Sequence, residues 1–100
     1  MDYQIVLSPS ARTDLRDIVR YISFEAPDRA AQFGQFLVSR TKYLAQFPQL
    51  GRKVPEIGDP QVREIIVRSY RVVYRVDHTN HFVEVIRFWH AARGTPDLNT

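Results

Sequence analysis

Tyr70-Arg-Val-Val-Tyr-Arg-Val76, followed past a polar His78-Thr79-Asn80-His81 break by Val85-Ile-Arg-Phe-Trp-His90, gives two β-prone runs that read as a hairpin. Side chains alternate along a strand, so Tyr70, Val72, Tyr74 and Val76 share one face, and Arg71, Val73, Arg75 and Asp77 share the other. The first set makes a core face and the second a working face. Val62 to Arg68 alternates in the same way and opens a three-strand meander.

Two-residue turns at Ser69-Tyr70 and Thr79-Asn80 would fix the partners across the meander. Arg75 then falls between Glu64 and Glu84, Val73 between Ile66 and Ile86, and Arg71 between Arg68 and Phe88, with His90 on the same face. Ile65, Val67, Val72, Tyr74, Val76, Val83 and Val85 make the opposite face, a floor for helices. A slip of one residue would reverse both faces. In this register Arg75 is a structural residue bracketed by two carboxylates, each pair stabilising by well under about 1 kcal/mol. Arg71 and Arg68 lie side by side without an acid. With His90 and Arg93 they form the candidate anion-binding and target-binding set.

Before the meander, Tyr3 to Leu7 is a short strand. Ser8-Pro9 supplies an N-cap and a first-turn proline for a helix with Ala11, Leu15, Ile18, Val19 and Ile22 on its apolar side. This helix ends near Glu25, ahead of Pro27. Asp28 caps a second helix with the stripe Ala30, Phe33, Leu37 and Leu44, closed by Pro48 to Gly51. Residues 48–61 read as a loop, and Gly94 to Thr100 as a flexible tail. The order β-α-α-β-β-β defines an α+β fold, an antiparallel sheet packed against a helical hairpin. A single domain over residues 1–93 accounts for the chain.

Composition narrows the functional classes. The 44% apolar and 25% charged content is that of a globular domain rather than a disordered tail. With no cysteine, neither disulfides nor a thiolate metal site is expected, and three scattered histidines lack metal-ligand spacing. No cofactor is expected, since no Gly-rich phosphate loop is present. No basic-then-apolar segment follows Met1 and no apolar run spans a bilayer, so a cytoplasmic location is expected. Residues 60–94 hold six arginines against three acids, whereas residues 1–59 hold eight cations against seven acids. Arginine binds carboxylates and phosphates but is no general base at neutral pH, so this bias favours binding acidic groups over proton transfer.

His90 is the one residue suited to acid–base work, and no carboxylate is evidently placed to orient it. A second, weaker aromatic stripe runs along the helices: Tyr21 and Phe24 on the first, Phe36, Tyr43 and Phe47 on the second. It either finishes the core or awaits a partner.

Taken in order, Ala11-x-x-x-Leu15-x-x-Ile18-x-x-Tyr21-Ile22, Pro48-x-x-Gly51-Arg52, Arg63, the Tyr70–Val76 strand and Val85 to His90 resemble the RelE/ParE superfamily of bacterial toxins over residues 3–93. The resemblance implies the toxin half of a type II toxin–antitoxin pair, neutralised by a small antitoxin, here of the ParD-like kind, that wraps it. Tyr21, Phe24, Phe36, Tyr43 and Phe47 then become antitoxin contacts. RelE-like members cleave messenger RNA on the ribosome, and ParE-like members inhibit DNA gyrase. In the nucleases an arginine matching Arg71 binds phosphate and a histidine matching His90 is catalytic, commonly with a tyrosine nearby. Here Ala91 and Ala92 follow His90, and no tyrosine follows Tyr74. The favoured expectation is a ParE-like gyrase inhibitor with no catalytic residues. The first alternative is a ribosome-dependent endoribonuclease using Arg71 and His90, and the second an inactive interaction module.

Overall fold

The computed structural model describes residues 2–99, so residue 1 of the expected domain and residue 100 of the expected tail lie outside the described residues. Strand β1 (Gln4–Leu7) leads into helix α1 (Pro9–Ser23), then helix α2 (Pro27–Thr41), which tightens into a 3-10 turn over Lys42–Ala45. A two-residue strand β2 (Arg52–Lys53) and the meander β3 (Val62–Val67), β4 (Tyr70–Asp77) and β5 (Phe82–His90) follow. The sheet order is β1-β5-β4-β3-β2. It is mixed rather than all antiparallel: β1 runs parallel to β5, because the helical hairpin carries the chain across the sheet before β5 is laid down.

Local chemistry sets the helix ends. Ser8 Oγ accepts from Ala11 N at 3.0 Å and donates to the Ile86 carbonyl at 2.8 Å, tying the start of α1 to β5. Pro27 occupies the first turn of α2, so the cap falls on Ala26, without a side-chain bond, and Asp28 lies inside the first turn instead of capping it. The helices meet closely at Gly34, where a Cβ would stand 2.7 Å from Val19 Cγ2. Ala11, Ile18, Leu37 and Leu44 pack onto Val67, Val72, Tyr74, Val76, Val83, Val85 and Phe88, with Ile65 at the margin. The expected floor of the core is therefore the observed one.

The register differs from expectation in two places. The first meander turn is Arg68-Ser69, since Val67 faces Tyr70, and it runs through a positive φ of 56° at Arg68. Glu64 thereby faces Val73, and Val62 faces Arg75. The second turn is wider than two residues, with Asp77 facing Phe82 and the Asp77 carboxylate accepting from Asn80 N. Arg75 does face Glu84, but Val73 faces Arg87 while Tyr74 faces Val85, leaving Ile86 as an extra residue. This β-bulge reverses the alternation beyond it. Phe88 and His90 turn to the helix side, opposite Val72 and Tyr70, whereas Trp89 faces Arg71.

The other side of the sheet is also covered. Val54, Val62 and Val73 form a small second core with Ile57 and Leu98 packed on it. Residues 94–98, read from sequence as loose, lie along this face: Pro96 is buried, and the carbonyls of Gly94 and Asp97 accept from side chains of β4 and β5.

Candidate functional site

Arg71 is 7% exposed, and each of its five N–H groups has an acceptor. Nε donates to Glu64 Oε1 at 2.6 Å, and Nη2 reaches Glu64 Oε2 at 3.3 Å. Nη1 and Nη2 fork onto the two oxygens of Glu56 at 2.9 and 2.8 Å, and Nη1 also donates to the Gly94 carbonyl at 3.0 Å. The hydrogen bonds it donates to Glu56 and Glu64 push the guanidinium further towards its charged form. The same fork holds Glu56 down to about 2. The expectation that Arg71 stands free beside Arg68 is therefore corrected. Glu64, assigned from sequence to Arg75, serves Arg71 and Arg52, and Arg75 instead pairs with Asp59 at 3.0 Å.

Part of the cause is Glu56, a residue with little sequence signal. It comes from the Pro-rich loop, where no periodicity marks it. The loop itself is held by Tyr74, whose hydroxyl accepts from Gly51 N at 2.9 Å and donates to the Pro48 carbonyl at 2.8 Å. Gly51 is required there, because a Cβ would stand 2.4 Å from the Glu64 carbonyl oxygen. The Pro48-x-x-Gly51-Arg52 motif thus positions Arg52 against Glu64. Asp14 is a second functional carboxylate that the sequence reading did not single out. It is 9% exposed, pairs with Arg87 at 2.8 Å and accepts from Phe88 N at 3.0 Å. It had a readable signal, being three residues after Ala11 and four before Ile18, on the buried stripe of α1.

His90 sits apart from Arg71. Ala92 N donates to its Nδ1 at 3.1 Å, which occupies the ring's lone pair and leaves Nε2–H as a donor. The ring meets Tyr70 edge-on, with centroids 5.1 Å apart. His90, Tyr70, Tyr21, Asp17 and Arg93 line one cavity of about 410 Å3. Burial, followed by neighbouring Tyr21, pushes the Tyr70 hydroxyl above its ordinary value, so it stays protonated at neutral pH. The cavity presents hydrogen-bond donors and aromatic rings. Of the two carboxylates that line it, Asp14 is engaged by Arg87 and Phe88 N, which leaves Asp17 as the proton acceptor at hand.

A third region lies along α2. Arg68, in its turn, stands 5.0 Å over the Phe36 ring, and Arg40 lies 5.0 Å over Tyr43. Three hollows run in a row here: the middle one shares Phe36 with the first, which reaches Arg29 and Arg68, and Arg40 and Tyr43 with the third, which reaches Leu50 and Ile66. Among the described residues, Arg29, Arg40, Lys42 and Arg68 form no ion pair. Strand β2 covers β3 only at Arg63 and Glu64, so residues 65–67 keep an open edge.

Each expected site residue now has a place. Of the set Arg68, Arg71, His90 and Arg93, only His90 and Arg93 come together; Arg71 is buried on the far face and Arg68 sits beside α2. Among the aromatics, Phe36 and Tyr43 share the α2 flank and Tyr21 lines the His90 cavity. Phe24 and Phe47 are exposed, and Phe36 is half-buried. Among the described residues there is no cluster of three or more metal-ligating side chains, and no helix long and apolar enough to cross a membrane.

A helical hairpin on a five-stranded mixed sheet is the RelE/ParE type of toxin fold. A chain of the chromosomal ParDE toxin–antitoxin system from Pseudomonas aeruginosa superposes with a TM-score of 0.74 at 21% identity, over 88% of this chain and 95% of that one. The RelBE2 toxin–antitoxin complex of Mycobacterium tuberculosis gives 0.63 at 20% identity, covering 90% and 99%. A free double arginine-to-alanine mutant of Escherichia coli RelE gives 0.63 at 24% identity, covering 94% and 88%. No curated protein matches significantly by sequence. The family model for the ParE toxin of the type II parDE toxin–antitoxin system matches residues 5–94, and the chain belongs to that family.

Proposed function

We propose that this toxin is a ParE-like inhibitor of DNA gyrase that acts in the cytoplasm, cuts no nucleic acid itself and is neutralised by a ParD-like antitoxin. The observation that carries the reading is the saturation of Arg71: a guanidinium with all five N–H groups engaged, four of those bonds going to carboxylates, has nothing left for a phosphate. Engagement of His90 Nδ1 by Ala92 N supports it, since phosphodiester cleavage by 2′-OH attack needs a free base. The ParE family match favours the same side.

The α2 flank suits the antitoxin. Its cations have no acid partner among the described residues, Tyr43 is exposed and Phe36 half-buried, and the β3 edge is open to an added strand, a combination that fits an acidic, partly apolar segment. One observation favours the nuclease instead. Tyr70 and Tyr21 stand beside His90 with Arg93, offering from β4 and α1 the tyrosine that the chain lacks after Tyr74. Purified toxin is expected to block gyrase supercoiling or trap cleaved DNA, and its antitoxin to reverse the effect. Messenger RNA cutting that appears only with ribosomes, with gyrase unaffected, would replace this reading with the nuclease.

A further inference from the structure

Residues 94–98 show by their own contacts what the face of β4 and β5 away from the helices is built to hold. Arg71 and Trp89 are cross-strand partners, and both donate to one oxygen, the Gly94 carbonyl, at 3.0 and 3.1 Å. Arg87 Nη1 donates to the Asp97 carbonyl at 2.7 Å. Leu98 then drops onto Val54, Val62 and Val73, and Pro96 is buried between the two carbonyl contacts. The charges of both arginines are answered elsewhere, Arg71 by Glu56 and Glu64, Arg87 by Asp14. The groove therefore offers N–H donors without excess positive charge, together with an apolar seat. Neutral carbonyls of an extended backbone satisfy such donors; an anion would face three carboxylates.

The segment is hung from a single reversal. Gly94 has φ 79° and ψ −135°, a conformation that L side chains rarely adopt. Beyond it no residue of the segment belongs to a helix or strand. We propose that this face is a peptide-docking groove and that residues 94–98 are its resident occupant, an exchangeable strap. A partner's extended segment displaces it when that segment presents two carbonyls three residues apart and a leucine-sized side chain immediately after the second. The proposal stands whatever the toxin's target, because it concerns the face opposite the helices.

Trp89 is the only tryptophan and lies 4% exposed under the strap, so its emission reports the exchange directly. In the full chain, Leu98→Asp is expected to shift Trp89 emission to the red and at least double its quenching by acrylamide, with an unchanged far-UV circular dichroism spectrum. A dye-labelled peptide of residues 94–99 is expected to bind this variant at least tenfold more tightly than the wild type, where the tethered strap competes at high effective concentration. The same peptide carrying Leu98→Asp is expected not to bind. Equal binding to both proteins, or binding to neither, overturns the proposal, as does an unmoved Trp89 spectrum. Should Leu98→Asp unfold the chain, Leu98→Ala reads the same outcomes with smaller shifts.

Discussion

The two long sides of this sheet carry similar cations and treat them in opposite ways. On the side away from the helices, Arg71 and Arg87 are buried, each forked onto carboxylates and closed over by residues 94–98. On the flank beside α2, Arg29, Arg40, Lys42 and Arg68 have no acid partner among the described residues and lie around the half-buried Phe36 ring and the exposed Tyr43 ring. Satisfied charges hold a fold together, and unsatisfied exposed ones are available to a partner. Density of arginine in the sequence therefore marked both regions without telling them apart.

The largest effect that would break this contrast comes from the covered side. Glu64→Gln removes the carboxylate that serves both Arg71 and Arg52, and is expected to cost about 3 kcal/mol in urea unfolding, as for other broken buried pairs. An unchanged midpoint would mean that the pairs do not support this face. Gly51→Ala is expected to cost roughly 2 kcal/mol, because the new methyl meets the Glu64 backbone rather than a movable side chain.

On the open flank the effect moves from stability to binding. Arg40→Glu with Arg68→Glu is expected to weaken antitoxin binding by about tenfold or more, and to reduce its dependence on salt, while the thermal midpoint barely shifts. Binding that survives the double change would place the antitoxin elsewhere.

Acid titration separates the sides more finely. Glu56 is held at about 2, below its ordinary 4.5, so its contribution to stability is complete above pH 4.5 and lost as the pH falls towards 2. Glu56→Gln is expected to flatten that part of the stability profile and leave the profile above pH 5 unaltered. The smallest effect is assigned to His90→Ala: within about 0.5 kcal/mol of wild type in stability, and still toxic in growing cells. Loss of toxicity from this change alone would favour the nuclease.

Much of the architecture was legible because it follows from periodicity. The alternation of β3 and β4, the caps at Ser8 and Pro9, and the Ala11–Ile18 and Ala30–Leu44 stripes led to the observed core. The site was less so, for two physical reasons. Register depends on turn geometry, and moving the first turn to Arg68-Ser69 transferred Glu64 from Arg75 to Arg71. Long-range partners such as Glu56 and residues 94–98 arrive from irregular segments whose placement no local pattern specifies. Asp14 is the instructive miss: a carboxylate in step with the apolar stripe of α1 is a sign of a buried cation, and its partner Arg87 is seen only in the structure.

Ile86 has a consequence out of proportion to its place in the chain. As the unmatched residue of β5, held at its carbonyl by Ser8 Oγ, it acts like a one-step frame shift in the side-chain alternation. With it, His90 faces Tyr70 and the hairpin; with one residue fewer at that point, His90 would turn onto the face of Arg71 and Trp89 would turn towards the helices. The same strand thus encodes two mutually exclusive neighbourhoods for its terminal histidine. A single-residue insertion or deletion is enough to trade one for the other, a route by which one toxin scaffold can gain or lose a histidine–arginine pair without changing either residue.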